Sequence, residues 1–214
     1  MERMHLDHLS FAAGHEGLQG TAERLSALLG APFQDGGFHP RFGTRNKILP
    51  LANGQYLEVV EVLDHPAADK APFGQAVRAR TESGGGWLGW VVAVDDLTPV
   101  EQRLGRAAVA GSRHRPNGDL LEWQQIGIKG LLTDPQLPFF IQWLSDSTRH
   151  PSVGGGDIEL LKLEIAGDRD RLDDWLGGLT DTVLEDVEVD WTAPNGQPGV
   201  EAALFATPQG KVRI

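Results

Sequence analysis

Leu6-Asp7-His8-Leu9-Ser10-Phe11-Ala12-Ala13 alternates apolar and polar residues with the period of two that marks a half-buried strand. On that period Leu9 and Phe11 fall on one face, and His8 shares the other with Leu6 and Ser10. A second alternating run, Gln55-Tyr56-Leu57-Glu58-Val59-Val60, carries a carboxylate at its centre. If both strands turn these groups inward, an imidazole and a carboxylate meet in one hollow. His8 and Glu58 are therefore the candidate chemical centre.

The elements around these strands come in a repeating order. After the first strand, Leu18, Ala22, Leu25 and Leu29 mark one face of a helix, and Gly30 is placed to end it. Strands over 47–51 and 56–63 follow, joined through Asn53-Gly54, a dipeptide that accepts positive φ at both positions. A second cycle opens at 87–95. Its helix has Thr98 as N-cap, Pro99 at N1 and Glu101 completing a capping box. Asn117-Gly118 then turns the chain between strands, with further strands over 120–128 and 139–144. A third cycle runs from 158, with Asp168 as N-cap, Leu172, Trp175 and Leu176 on the buried face, and Asn195-Gly196 as its turn. Leu-Gly pairs at 29/30, 104/105 and 176/177 close the three helices, and one Asn-Gly follows each. The predicted fold is α+β, built of βαβββ modules over residues 1–66, 86–146 and 157–214, with a linker over 67–85 that holds one short helix.

Composition narrows the function classes. The formal net charge of −11 argues against a broad nucleic-acid surface, which needs clustered Lys and Arg. No apolar stretch approaches the roughly 20 residues of a spanning helix, so no membrane partner is expected and a cytoplasmic protein is the default. The absence of cysteine removes thiolate nucleophiles and Cys-zinc sites.

The motifs together resemble the vicinal-oxygen-chelate superfamily, in particular its glyoxalase-like domains. They are the opening Leu6–Ala12 run, Arg41-Phe42-Gly43-Thr44-Arg45-Asn46, Tyr56-Leu57-Glu58, the stretch from Trp90 to Leu97, and Pro138-Phe139-Phe140-Ile141-Gln142-Trp143. The resemblance implies that modules one and two pair into a barrel-like cup around a small-molecule ligand. It further implies metal ligands from the first and last strand of each module. By position these are His8 and Glu58, then Gly89 and Gln142. Gly89 has no donor and Gln142 only an amide oxygen, so the implied site is degenerate. One reading is a divalent Zn, Fe, Mn or Ni on His8, Glu58 and Gln142; the favoured one is no metal, since a catalytic zinc takes about three strong ligands.

In the metal-free reading His8 is a general base near neutral pH, with Glu58 orienting its other ring nitrogen. The activity implied is a lyase, isomerase or dioxygenase. The alternative is a protein that binds or sequesters a small molecule without chemistry. Thr44, Asn46, Trp87, Gly89, Phe140 and Gln142 are the candidate substrate contacts, Gly89 leaving room beside the ligand. Plainer readings stand beside these. Thr44 and Asn46 also suit strand starts, the tryptophans suit a core, and His39 suits a solvent loop. Arg41 and Arg45 suit surface ion pairs, and the stretch from Arg113 to Pro116 suits a solvated hairpin arm. The third module is left to pack on an edge or on a second copy, which makes a homodimer one expected assembly.

Overall fold

The opening run forms β1 (Met4–Ala12). The computed structural model describes residues 4–193 and 196–214. Helix α1 (Gly17–Leu29) buries Leu18, Ala22, Leu25 and Leu29 and stops at Gly30, which has φ 74°. Strands β2 (Gln34–His39), β3 (Thr44–Pro50) and β4 (Tyr56–Val62) complete the first unit. Between β3 and β4, Asn53 and Gly54 both take positive φ, 58° and 73°, as the dipeptide predicts.

The linker holds two helices where the sequence predicts one: α2 (Pro66–Lys70) and α3 (Pro72–Glu82). Each has its proline in the first turn, where the missing N–H is not needed. The second unit is β5 (Gly86–Val94), α4 (Thr98–Leu104), β6 (Val109–His114), β7 (Leu120–Ile126), α5 (Gly130–Thr133) and β8 (Phe139–Trp143). Gly105 ends α4 with φ 62°. The expected capping box does not form. Asp96 instead accepts hydrogen bonds from the Thr98 amide (2.9 Å) and hydroxyl (2.8 Å), and Glu101 accepts from the Ala108 amide at 2.6 Å.

The two units close one barrel in the order β1-β4-β3-β2-β6-β7-β8-β5. In each, the first strand lies parallel to the last, β1 to β4 and β5 to β8. The units join at two seams, β1 with β5 and β2 with β6.

The third unit has β9 (Glu159–Ala166), α6 (Arg169–Leu176), α7 (Thr180–Val183), β10 (Glu188–Thr192), β11 (Gly199–Thr207) and β12 (Gly210–Arg213). Asp168 caps α6 by accepting from the Arg171 amide at 3.0 Å, and Gly177 ends it with φ 71°. The predicted Asn195-Gly196 turn includes Asn195, which lies outside the described residues. The strand order is β10-β9-β11-β12, with β9 parallel to the very next strand, so the sheet pairs differently from the two barrel units. It packs on the outer side of β1 and β5. Leu163, Ile165, Ala203 and Phe205 join Leu9, Phe11, Trp87, Trp90 and Val92 in one core. Side chains buried to this degree contribute on the order of 1.5–3 kcal/mol each. The third unit thus packs on the barrel of its own chain. Among the described residues no helix is long and apolar enough to cross a membrane.

Candidate active site

β1 carries His8 into the barrel interior and bulges just before it. Leu6 pairs with Val92 and His8 with the adjacent Val91, which leaves Asp7 as the extra residue. The bulge breaks the simple alternation. Leu6 packs in the outer core with Leu9, and so does not share the face of His8 and Ser10 as the sequence suggested. It also buries Asp7 completely. Its carboxylate accepts from His8 Nδ1 (2.6 Å), His150 Nε2 (3.0 Å) and Trp143 Nε1 (3.3 Å). Burial pushes the Asp7 carboxyl upward, but the His150 and His8 hydrogen bonds outweigh it and hold the group well below the usual carboxylate range. An ionised Asp7 fixes the His8 tautomer, with the proton on Nδ1 and the lone pair on Nε2.

His8 Nε2 faces Glu58 Oε1 at 3.8 Å, and the imidazole stacks on Tyr56 with ring centres 4.3 Å apart. Glu58 accepts from Ser10 Oγ (2.6 Å) and Asn46 Nδ2 (2.8 Å). Burial would raise its pKa. The facing His8 and His39 imidazoles, with the Ser10 and Asn46 hydrogen bonds, outweigh that and lower it. Asn46 needs a glycine on the neighbouring strand β2, since a Cβ at Gly36 would lie 2.1 Å from Asn46 Oδ1. Thr44 is fully buried with its hydroxyl 3.0 Å from His39 Nδ1. Burial pushes His39 down to about 3, so it is a neutral wall of the cavity and not the solvent-loop residue expected.

These groups enclose a cavity of about 30 Å³, room for roughly one or two waters. Phe42, Phe73, Trp123, Phe139, Ile141 and Trp143 form its apolar walls. Phe42, Phe73 and Gln125 also border an open cleft of about 710 Å³ that runs toward α6, so these three side chains separate the cavity from the surface. Phe73→Ala is expected to join cavity and cleft. The expected cost is about 3–5 kcal/mol in a urea unfolding curve. Carbethoxylation of His8, mapped by peptide mass spectrometry, should become faster than in the wild type; an unchanged rate would place the entrance elsewhere.

Of the sequence-derived candidates, the structure brings together His8, Glu58, Thr44 and Asn46. Trp87, Phe140 and Gln142 face outward. A second bulge, between the Ser10–Gly89 and Phe11–Trp87 pairs, turns Trp87 into the outer core, where its Nε1 donates to the Ile214 carbonyl at 3.1 Å. Phe140 packs in the same core, and Gln142 Oε1 accepts from the Leu97 amide at 3.1 Å. The other face of β8, with Phe139, Ile141 and Trp143, looks inward. Gly89 leaves no room, because a Cβ there would meet Leu131 Cδ2 at 2.5 Å. Arg41 and Arg45 stay exposed, Arg45 pairing with Glu61 at 2.7 Å. Glu58 does not orient His8 through its other nitrogen; Asp7 does.

Register shows what the second unit places opposite. Pairing of β1 with β4 sets Tyr56 beside His8 and Glu58 beside Ser10. Pairing of β5 with β8 sets Phe139 beside Val91 and Ile141 beside Ala93. The counterpart positions are therefore apolar, so Gly89 and Gln142 are not the matching pair. A resident divalent metal does not fit this donor set. No group of three His, Asp or Glu is placed to hold one among the described residues. Both Glu58 oxygens already accept hydrogen bonds, and the Arg113 cation lines the same cavity. Thermal unfolding measured with added Mn²⁺, Ni²⁺ or Zn²⁺ is expected to show no concentration-dependent rise. A rise that His8→Ala removes would mean the two donors suffice.

Sequence reasoning missed Asp7, His150, Arg113 and Gln125. Arg113 was read as part of a solvated arm, yet it is 3% exposed and lines the cavity. Its signal was available: Gly111, Arg113 and Arg115 alternate with Ser112 and His114 along a strand that had to have an inner face. His150 comes from the segment between the second and third units, and nothing local marks it.

A protein with this barrel and this polar cluster is of the vicinal-oxygen-chelate class. The family described as "Glyoxalase-like domain" matches residues 6–180, and the chain belongs to it. A hypothetical protein from Staphylococcus aureus is similar in structure, with a TM-score of 0.62 and 16% identity over 99% of this chain and 85% of that one. Methylmalonyl-CoA epimerase from Mycobacterium tuberculosis matches with a TM-score of 0.43 and 16% identity, covering 65% of this chain and 86% of that one. A variant of the Streptomyces coelicolor methylmalonyl-CoA epimerase, solved in complex with 2-nitronate-propionyl-CoA, gives 0.42 and 14%, covering 66% and 98%. At these identities the likeness is one of fold. No curated protein matches the chain.

Proposed function

We propose that this chain is an acid–base enzyme that moves a proton on a small carbonyl compound, as an isomerase or lyase does, without a resident metal. One observation carries the reading. His8 is held by a buried carboxylate at Nδ1, 2.6 Å away, while its Nε2 is aimed at a cavity. An imidazole so fixed can take a proton at Nε2, and a positioned base contributes about 10²–10⁴-fold to a proton transfer. Glu58, kept ionised by Ser10 and Asn46, stabilises the imidazolium that forms when His8 takes the proton. The low-dielectric walls strengthen that attraction.

A second reading is a binding protein that sequesters a small molecule. The apolar counterparts Val91, Phe139 and Ile141 favour it, since the second unit brings no group matching His8 or Glu58. Proton NMR in D₂O separates the two. With a panel of small 2-oxo acids and hydroxyketones, the acid–base reading expects carbon-bound protons next to a carbonyl to exchange for deuterium faster than in buffer. A compound that binds and is recovered unlabelled would support sequestration.

A further inference from the structure

The guanidinium of Arg113 is buried in the barrel with too few partners. The residue is 3% exposed, and its Nη1 donates to Asn46 Oδ1 at 3.4 Å, a long contact. Its Nε is buried with no hydrogen-bond partner among the described residues. A guanidinium carries five donors and stays charged in proteins, and burying such a group without a carboxylate partner is costly. Burial lowers its pKa, while Tyr56, Glu58 and Asp35 pull the other way. Glu58 does not pair with it directly: Asn46 stands between, accepting from Arg113 and donating to Glu58. Other walls of the cavity, the neutral His39 and the aromatic rings, bring no anion.

We infer that Arg113 is a carboxylate-binding group, and that the substrates are small 2-oxo or 2-hydroxy acids whose carboxylate pairs with the guanidinium while the proton-bearing carbon, C3 of a 2-oxo acid or C2 of a 2-hydroxy acid, faces His8. The donor geometry of arginine suits a planar carboxylate in two-point contact. The same cavity lining places Arg113 with His8, Glu58, Asn46 and Gln125, so one small molecule touching the arginine lies within the same enclosure as the base. The closed cavity holds only roughly one or two waters, so even pyruvate enters by displacing Phe73 toward the cleft, and longer acids need a larger movement. This assignment names the substrate class for the acid–base reading and rests on it for its catalytic meaning, but its test reads binding alone.

The probe is pyruvate, compared with its neutral and nearly isosteric amide, pyruvamide, by calorimetry and by the ¹⁵N–¹H signal of the Arg113 Nε–H group. The wild type is expected to bind pyruvate at least tenfold more tightly than pyruvamide, with a downfield shift of that signal. Arg113→Met is expected to erase the preference, and Arg113→Lys, which keeps the charge and loses the planar fork, to retain part of it. Equal affinity for acid and amide in the wild type would overturn the assignment, as would an Arg113→Met protein, folded by circular dichroism, that keeps the preference. If Arg113→Met does not fold, the wild-type comparison and Arg113→Lys decide. Selective pyruvate binding with no deuterium exchange would sustain Arg113 while removing the acid–base reading. Exchange on neutral and charged ketones alike would do the reverse.

Discussion

Asp7→Asn is expected to destabilise the protein by about 3–5 kcal/mol, the usual cost of removing one partner from a buried charged cluster. Asp7 is fully buried and accepts from two imidazoles and an indole. An asparagine offers one acceptor oxygen and two N–H donors, so at least one of the three incoming donors meets a donor and stays unsatisfied in a site closed to water. For a chain of this length the loss corresponds to roughly 6–20 °C in Tm. The effect should depend on pH in one direction. The folded carboxyl sits below its unfolded value, so its contribution is complete above about pH 5 and is lost as pH falls towards the folded value. Urea midpoints of the wild type and Asp7→Asn should therefore be far apart at pH 7 and converge in acid. A gap that is small at pH 7, or that widens on acidification, would mean Asp7 is not the ionised hub of the cluster.

The same residue shows where sequence legibility ends. The helices could be read closely, because a helix announces itself locally. The apolar stripe of α1 and the left-handed glycines at 30, 105 and 177 are each signals confined to a few neighbouring residues. The barrel was reached through motifs and the order of elements, and β1 and β4 carried their two polar residues inward as the alternation implied. Strand faces failed wherever a bulge intervened. One extra residue at Asp7 turned Leu6 outward, and the irregularity near Leu88 did the same to Trp87. On β8 both faces are apolar apart from Gln142, so alternation had no polar side to mark as solvent. Arg113, which the alternation of its strand marks as inward, and His150, which nothing local marks, meet the site only through long-range closure. The barrel seam between β2 and β6 brings the first, and the course of the segment before β9 over Asp7 brings the second. A charged residue in a turn-rich stretch looks solvated until its partners across the barrel are known.

His8→Gln is expected to lower deuterium exchange on a bound 2-oxo acid by about 10²–10⁴-fold, the contribution of a positioned general base, with no comparable loss of pyruvate binding. Glutamine can still donate an N–H toward Asp7, so the buried carboxylate need not lose its partner, and its amide does not accept a proton at neutral pH. Substrate is held by Arg113 in this scheme and not by His8, so affinity and rate should separate. Glu58→Gln provides the contrast. It keeps acceptor and donor capacity beside Ser10 and Asn46 but removes the negative charge next to the imidazolium, so it should slow exchange without abolishing it. Two outcomes are incompatible with this scheme: exchange in His8→Gln within a fewfold of the wild type, or exchange left unchanged by Glu58→Gln. In the first case the proton leaves through another group of the cavity. In the second the acid and the imidazole do not share a field, although their atoms lie 3.8 Å apart.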